Sequence, residues 1–358
     1  MGYYPNQMRD YVIEFLIFLG ILGGIALGIE IHYGYFTISI LSIGLLFLFQ
    51  KYKNKNIYKI YRAKIKELWG KDHKEKRDFK NIKKLFEFQR GIEGDRFYID
   101  DITWEDLNMD SVFSKIDHTK SLPGMQYLYY ILRNPIFNKD ILEKRNKAIN
   151  ELLNNKDMSQ EIQFPLYLLG KDEGKDIFNN FRKGINVDST YSKIYKLFSY
   201  LPLIVIVVLF IDMPKAMLIF LSSIVINTWI YNLNKKKIYE EMETFAYLGK
   251  LLKSAQGIAK LDIKGIDIGQ DKLKDMLKRV DKVRKNIKKL SFSESAGSEK
   301  EMFVHYYNML LLREPKIFYK TVDLLNKHKE DFYQIYSLVG KLDAYISIAS
   351  YRDGLRYY

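Results

Sequence analysis

The sequence predicts a mainly α-helical protein: two apolar helical hairpins that cross a membrane, joined to a water-facing part of long antiparallel helices. Three observations predict it. Four strongly apolar segments occur in two pairs, each pair split by a short polar turn. Elsewhere apolar residues recur every three or four positions, the period of a helix with one buried face. Helix starts and stops punctuate the polar stretches.

Composition sets the outer bounds. The chain has 358 residues, 47% of them hydrophobic, and a formal net charge of +14. Such a surplus of positive charge suits a polyanionic partner, either anionic lipid or nucleic acid. There is no cysteine, which excludes disulfides, thiolate zinc sites, iron–sulfur clusters and cysteine nucleophiles.

Tyr11 to Ile29 and Tyr35 to Phe49 form the first apolar pair, around the turn Glu30-Ile31-His32-Tyr33-Gly34. A secretory signal peptide is disfavoured by the weak basic start, the lack of a small-x-small cleavage site and the second apolar run. Residues 1–50 therefore read as a transmembrane hairpin, each run close to the lower length limit for a span. Residues 51–95 read as a basic juxtamembrane helix, with Lys51, Lys53, Lys55, Lys59 and Arg62 placed to meet anionic headgroups.

Residues 96–190 come next. Arg96 to Ile102 reads as a short strand or an extended lead-in. Met109, Val112, Phe113 and Ile116 follow at helical spacing. Ser121 caps the next helix, Pro123 sits in its first turn, and Asn134-Pro135 stops it at Arg133. A further helix runs from about Asp140 to Asn154.

The second apolar pair, Leu197 to Ile211 and Ala216 to Leu233, is split by Asp212-Met213-Pro214-Lys215 and lies within residues 191–237. A buried helical hairpin is the alternative, but Leu201 to Phe210 has no polar face, which favours membrane. Lysine and arginine crowd the outer flanks of both pairs, including Lys193, Lys196, Lys235, Lys236 and Lys237, and nearly avoid the turns. The positive-inside rule then puts both chain ends and the polar regions in the cytoplasm, on a multi-pass inner-membrane protein.

Residues 238–358 read as long helices. One seam holds Ile238, Met242, Phe245, Leu248, Leu252, Ala255 and Ala259; another, of coiled-coil type, holds Met276, Val280, Val283, Ile287 and Leu290. Gly265 to Gly269 connects them. Ser291 to Gly297 is a polar loop, and Ser298 with Glu301 makes a capping box.

Chemistry is sparse. The five histidines, His32, His73, His118, His305 and His328, show no paired ligand spacing, and Glu301 with His305 one turn apart is a surface pair more often than a metal site. No catalytic residue and no metal ligand is assigned. A transporter is a weak reading, since Glu14 is the one carboxylate within a span and lies near its edge.

The polar region resembles a known family. Thr103, Leu107-Asn108, Val112-Phe113, Ile116-Asp117, Thr119, Ser121, Gly124, Leu128, Asn134-Pro135, Arg145, Ile149 and Leu152 are ordered and spaced as at the start of the core domain of MutS-type mismatch-repair ATPases. Gly340-Lys341-Leu342-Asp343, with Ser347-Ile348-Ala349, is similar to the place where that family's lever helix returns to the core. The resemblance implies a membrane-anchored branch, with residues 96–190 as the first part of the core and 238–358 as lever helices and return. It also implies a homodimer.

Three departures qualify it. No G-x-x-x-x-G-K-[ST] phosphate loop occurs, so ATP and Mg are expected only with a downstream ATPase domain and no cofactor is expected in this chain. The mismatch-reading Phe-x-Glu is missing, Phe86-Glu87-Phe88 being the nearest string. The lever is interrupted by apolar segments. Lys274, Lys278, Lys282, Lys285 and Lys289 form a basic stripe for which the resemblance offers nonspecific DNA phosphate contact. The plainer reading, the wet side of a lever helix beside Asp271, Asp275 and Asp281, carries more weight. The competing function is a membrane-tethered helical scaffold that binds protein partners through its two heptad seams.

Overall fold

The computed structural model describes residues 7–71, 77–94, 96–171, 177–233, 235–263, 269–291 and 306–355. The polar loop from residue 292, the capping pair Ser298 and Glu301, His73, His305 and most of the Gly265–Gly269 connection lie outside them. Among the described residues every regular element is helical. The chain divides into two compact units, Met1–Leu68 and Trp69–Tyr358.

The first unit is a hairpin of α1 (Gln7–Glu30) and α2 (Phe36–Leu68). His32 shapes the turn by accepting the Gly34 amide at Nδ1, 3.0 Å away. Gly20, Gly24 and Gly28 recur every fourth residue and so share one face of α1. A β-carbon on each would lie 2.7 Å from Ser42 Oγ, 2.5 Å from Ser39 Oγ and 2.9 Å from the Phe36 ring, so these glycines let the two backbones meet. Ser39 Oγ donates to the Ile21 carbonyl across the contact at 2.8 Å. The apolar arm and the basic segment are one helix, because α2 runs unbroken to Leu68.

The second unit begins with α3 (Phe79–Ile82), α4 (Lys84–Glu93), α5 (Asp101–Asp106), α6 (Met109–Ile116) and α7 (Leu122–Arg133). Next come α8 (Lys139–Asn154), α9 (Lys156–Leu169) and α10 (Ile177–Lys183). No strand forms at Arg96–Ile102. One ladder-like bond runs from Ile99 N to Arg133 O at 2.8 Å, and Asp100 caps α5 instead. The expected extended lead-in remains at 96–100.

The second apolar pair comprises α11 (Ser189–Phe198), α12 (Leu201–Leu209) and α13 (Met213–Asn232). Four stretches are long and apolar enough to cross a membrane by length and composition: Met8–Glu30, Tyr33–Leu68, Ser189–Leu209 and Met213–Asn232. The rest is α14 (Lys235–Ala259), α15 (Gln270–Arg279), α16 (Asp281–Ser291), α17 (Arg313–Lys327) and α18 (Lys329–Gly354).

Both predicted seams are buried. Phe245, Leu252 and Ala255 of α14 and Met276, Val280, Val283 and Ile287 join one large core with Phe318 and Val322 of α17 and Tyr336 and Ile346 of α18. The second seam is not one helix: Val280 breaks it between α15 and α16. A smaller core gathers Phe86, Trp104, Phe113, Leu128 and Tyr129.

Candidate functional site: a buried polar clamp and exposed lysine faces

The segment Asp117-His118-Thr119-Lys120-Ser121 joins α6 to α7, yet all five residues are buried. Polar groups hidden from water need partners, and α18 supplies most of them. Asp343 accepts from the Ser121 amide at 2.8 Å, the Ser121 hydroxyl at 2.6 Å and the Lys120 amide at 3.1 Å. Ser347 Oγ accepts the His118 amide at 2.7 Å and donates to the Ile116 carbonyl at 2.8 Å. Ser350 Oγ lies 2.9 Å from His118 Nδ1 and accepts the Gly70 amide at 3.0 Å.

Asp117 is held from the other side. Arg77 Nε donates to it at 3.0 Å, Thr119 Oγ1 at 2.5 Å, and Lys171 Nζ lies 3.6 Å away. Burial alone would raise its pKa, but Lys171, Thr119 and Arg77 together hold the carboxyl below its usual range. Asp343 has amide and hydroxyl donors and only the more distant charge of Lys171, so burial wins and pushes its carboxyl up to about 6. Ser121 caps α7 as the sequence predicts, its Oγ accepting from the Gly124 amide at 3.2 Å. The clamp has its donors and acceptors turned inward on one another. Its chemistry is to lock α18 onto the α6–α7 joint.

Phe86 and Phe88 are core residues. Phe86 is buried with Trp104 and Tyr129 around the Arg133 guanidinium, whose centre lies 4.9, 4.8 and 5.6 Å from the three rings. Phe88 packs at a tilt between Phe178 and Tyr333, each with ring centroids at 5.2 Å.

The five stripe lysines are all exposed. Lys274, Lys278 and Lys285 pair with Asp271, Asp275 and Asp281 at 3.5, 3.1 and 2.8 Å. Lys274 and Lys278 line a shallow groove with Lys260, Arg284 and Gln256, whereas Lys282, Lys285 and Lys289 lie outside it. Lys260 follows the end of α14 and Arg284 lies on α16, and spacing along one helix could not nominate them together. On α2, Lys51, Lys55, Lys59 and Arg62 share one face with Asn54 and Tyr58. Lys53 turns instead to Glu14, at 2.8 Å. Lys236 and Lys237 are exposed, and Lys235 lies over the rings of Tyr231 and Tyr239. His328 bonds Asp331 at 3.0 Å.

Residues 100–349 match the family model of MutS domain III, well over half of the chain. The chain belongs to the MutS domain III family. The matched stretch opens on Asp100, the cap of α5, and closes on Ala349 in α18, so Asp117 to Ser121, Lys171, Asp343 and Ser347 of the clamp fall inside it, whereas Gly70, Arg77 and Ser350 lie outside. No curated protein and no solved structure matches the chain.

Proposed function

We propose that this chain is the membrane-anchored helical core of a MutS-type protein. Its soluble helices and both ends face the cytosol, and its work on DNA requires an ATP- and Mg-binding domain outside these 358 residues. The observation that carries the reading is the MutS domain III match over 100–349 in a chain with four helices apolar enough for a membrane. The lysine-rich flanks support the sidedness, the family resemblance supports a homodimer, and the exposed lysines of α15 and α16 support weak phosphate contact. The scaffold reading loses its basis, because both heptad seams are spent on the chain's own core.

Two measurements test it. The cysteine-free chain allows single cysteines to be placed at will. Gly34→Cys should react with a membrane-impermeant thiol reagent from outside intact cells, and Lys55→Cys and Lys236→Cys should not. The reverse pattern would reject the orientation. Labelled ATP with Mg should show no saturable binding to the isolated chain, and micromolar binding would reject the assignment of nucleotide chemistry elsewhere.

A further inference from the structure

The second apolar pair is shorter than its sequence length implies, because its feet belong to the soluble core. Tyr195 of α11 and Ile230 and Tyr231 of α13 are buried in the large core. Asn227 is fully buried, and its Nδ2 donates to the Phe198 carbonyl at 3.3 Å and to the Leu310 carbonyl at 2.6 Å. Tyr231 Oη donates to Glu314 at 2.8 Å. A helix face held by Leu310 and Glu314 is not available to lipid.

Among the described residues, what stands free of the soluble core is Tyr200 to Ile226. At 1.5 Å per residue, α12 is roughly 14 Å long and the stretch Met213–Ile226 roughly 20 Å. A bilayer's hydrocarbon core is about 30 Å thick, so one leaflet is about 15 Å. The free hairpin matches one leaflet and falls well short of two. Its flanks are apolar and bare: Ile206, Val207, Leu218 and Val225 are 58%, 63%, 69% and 69% exposed. At its foot stand the exposed aromatic rings Trp229 and Tyr200 and the exposed Lys193, Lys196, Lys236 and Lys237, residue types that favour the headgroup layer. At its tip, Asp212 and Lys215 neutralise each other at 2.8 Å, and Asp212 also accepts the Lys215 amide at 3.1 Å. The turn thus carries no net charge into the apolar layer.

We propose that α12 and the outer part of α13 form a re-entrant hairpin that enters the leaflet facing the soluble core and turns back near the bilayer midplane. The inference rests on the membrane reading above. Its occupant is the acyl-chain layer of that one leaflet, gripped at the edge by anionic headgroups.

The test uses the full chain in the native membrane and in phosphatidylglycerol-containing vesicles. Met213→Cys should stay unlabelled by the impermeant reagent from outside. A fluorophore on that cysteine should be quenched most by lipids carrying a nitroxide near the end of the acyl chain. Labelling of Met213→Cys from outside would overturn the proposal in favour of a full crossing through a thinned bilayer. Absence of quenching by any lipid probe would overturn it in favour of a hairpin outside the bilayer. Gly34→Cys, read in parallel, judges the orientation of the first hairpin, so failure of that broader reading remains distinguishable.

Discussion

Gly124 and Asp343 face each other where α7 crosses α18, so closely that a β-carbon on Gly124 would overlap the Asp343 carboxylate. One turn earlier on α18, Gly340 abuts the other helix in the same way, a β-carbon there lying 2.5 Å from the Pro123 carbonyl oxygen. Gly124→Ala and Gly340→Ala should each destabilise the protein by about 1–3 kcal/mol, as overpacking does. Gly23→Ala, with open space around it, should not. Chemical denaturation followed by circular dichroism checks all three, and equal midpoints for Gly124→Ala and Gly23→Ala would refute the tight crossing.

Asp343 predicts a pH dependence. Its folded-state pKa, about 6, lies above the ordinary carboxylate value. The folded protein therefore holds a proton that the unfolded chain has released between about pH 4 and 6. The sign follows: this group's contribution is fully present below the ordinary value and is lost as pH rises through 6. Asp343→Asn should remove that fall, which has a maximum slope of about 1.4 kcal/mol per pH unit. Denaturation midpoints from pH 4 to 7 in wild type and variant decide it.

Asp117 has the opposite sign. Its pKa is lowered by Lys171, Thr119 and Arg77, so its contribution is present above the ordinary carboxylate value and lost as pH falls through the folded one. Arg77→Ala would leave a buried carboxylate with the Thr119 donors and, as its charge partner, only the more distant Lys171. A loss of about 3 kcal/mol is expected, the lower end for breaking a buried ion pair. A loss below 1 kcal/mol by urea denaturation would show that Lys171 and Thr119 suffice.

Lys278, Lys282 and Lys285 point to solvent, and two of them lean on aspartates one turn away. Replacing the three with Gln should leave the melting temperature unchanged. If they meet DNA, affinity should be weak and blind to mismatches, and the log–log salt slope should flatten by roughly one unit for each phosphate no longer neutralised. Titration of matched and mismatched duplexes measures both, and a slope unmoved by the triple change would leave these lysines as solvated surface.

Local rules made much of the fold legible. Ser121, Pro123 and Asn134 mark α7 because caps and proline act within one turn, and the periodic apolar residues of α14 mark its buried face. The break at Val280 was not legible, since the seam stays buried on both sides of it. Nor was the clamp. Asp117 and Asp343 read as family punctuation, but Arg77 and Lys171 reach Asp117, and Ser350 reaches His118, from far along the chain, and no local pattern encodes such pairing. The shortness of the second hairpin was hidden for the same reason: Leu310 and Glu314, remote in sequence, claim its feet.

α2 leaves its apolar arm without a joint. From Leu45 to Leu68 it contains neither glycine nor proline, the usual places where a helix bends. Its outer end therefore cannot swing on its own. Any reorientation there is a tilt of the whole helix, and the glycine-packed α1 has to tilt with it. On the membrane reading proposed above, acyl-chain order and bilayer thickness would set the stiffness against which that outer end moves, and the lipid would be a mechanical component of the first unit as well as its solvent.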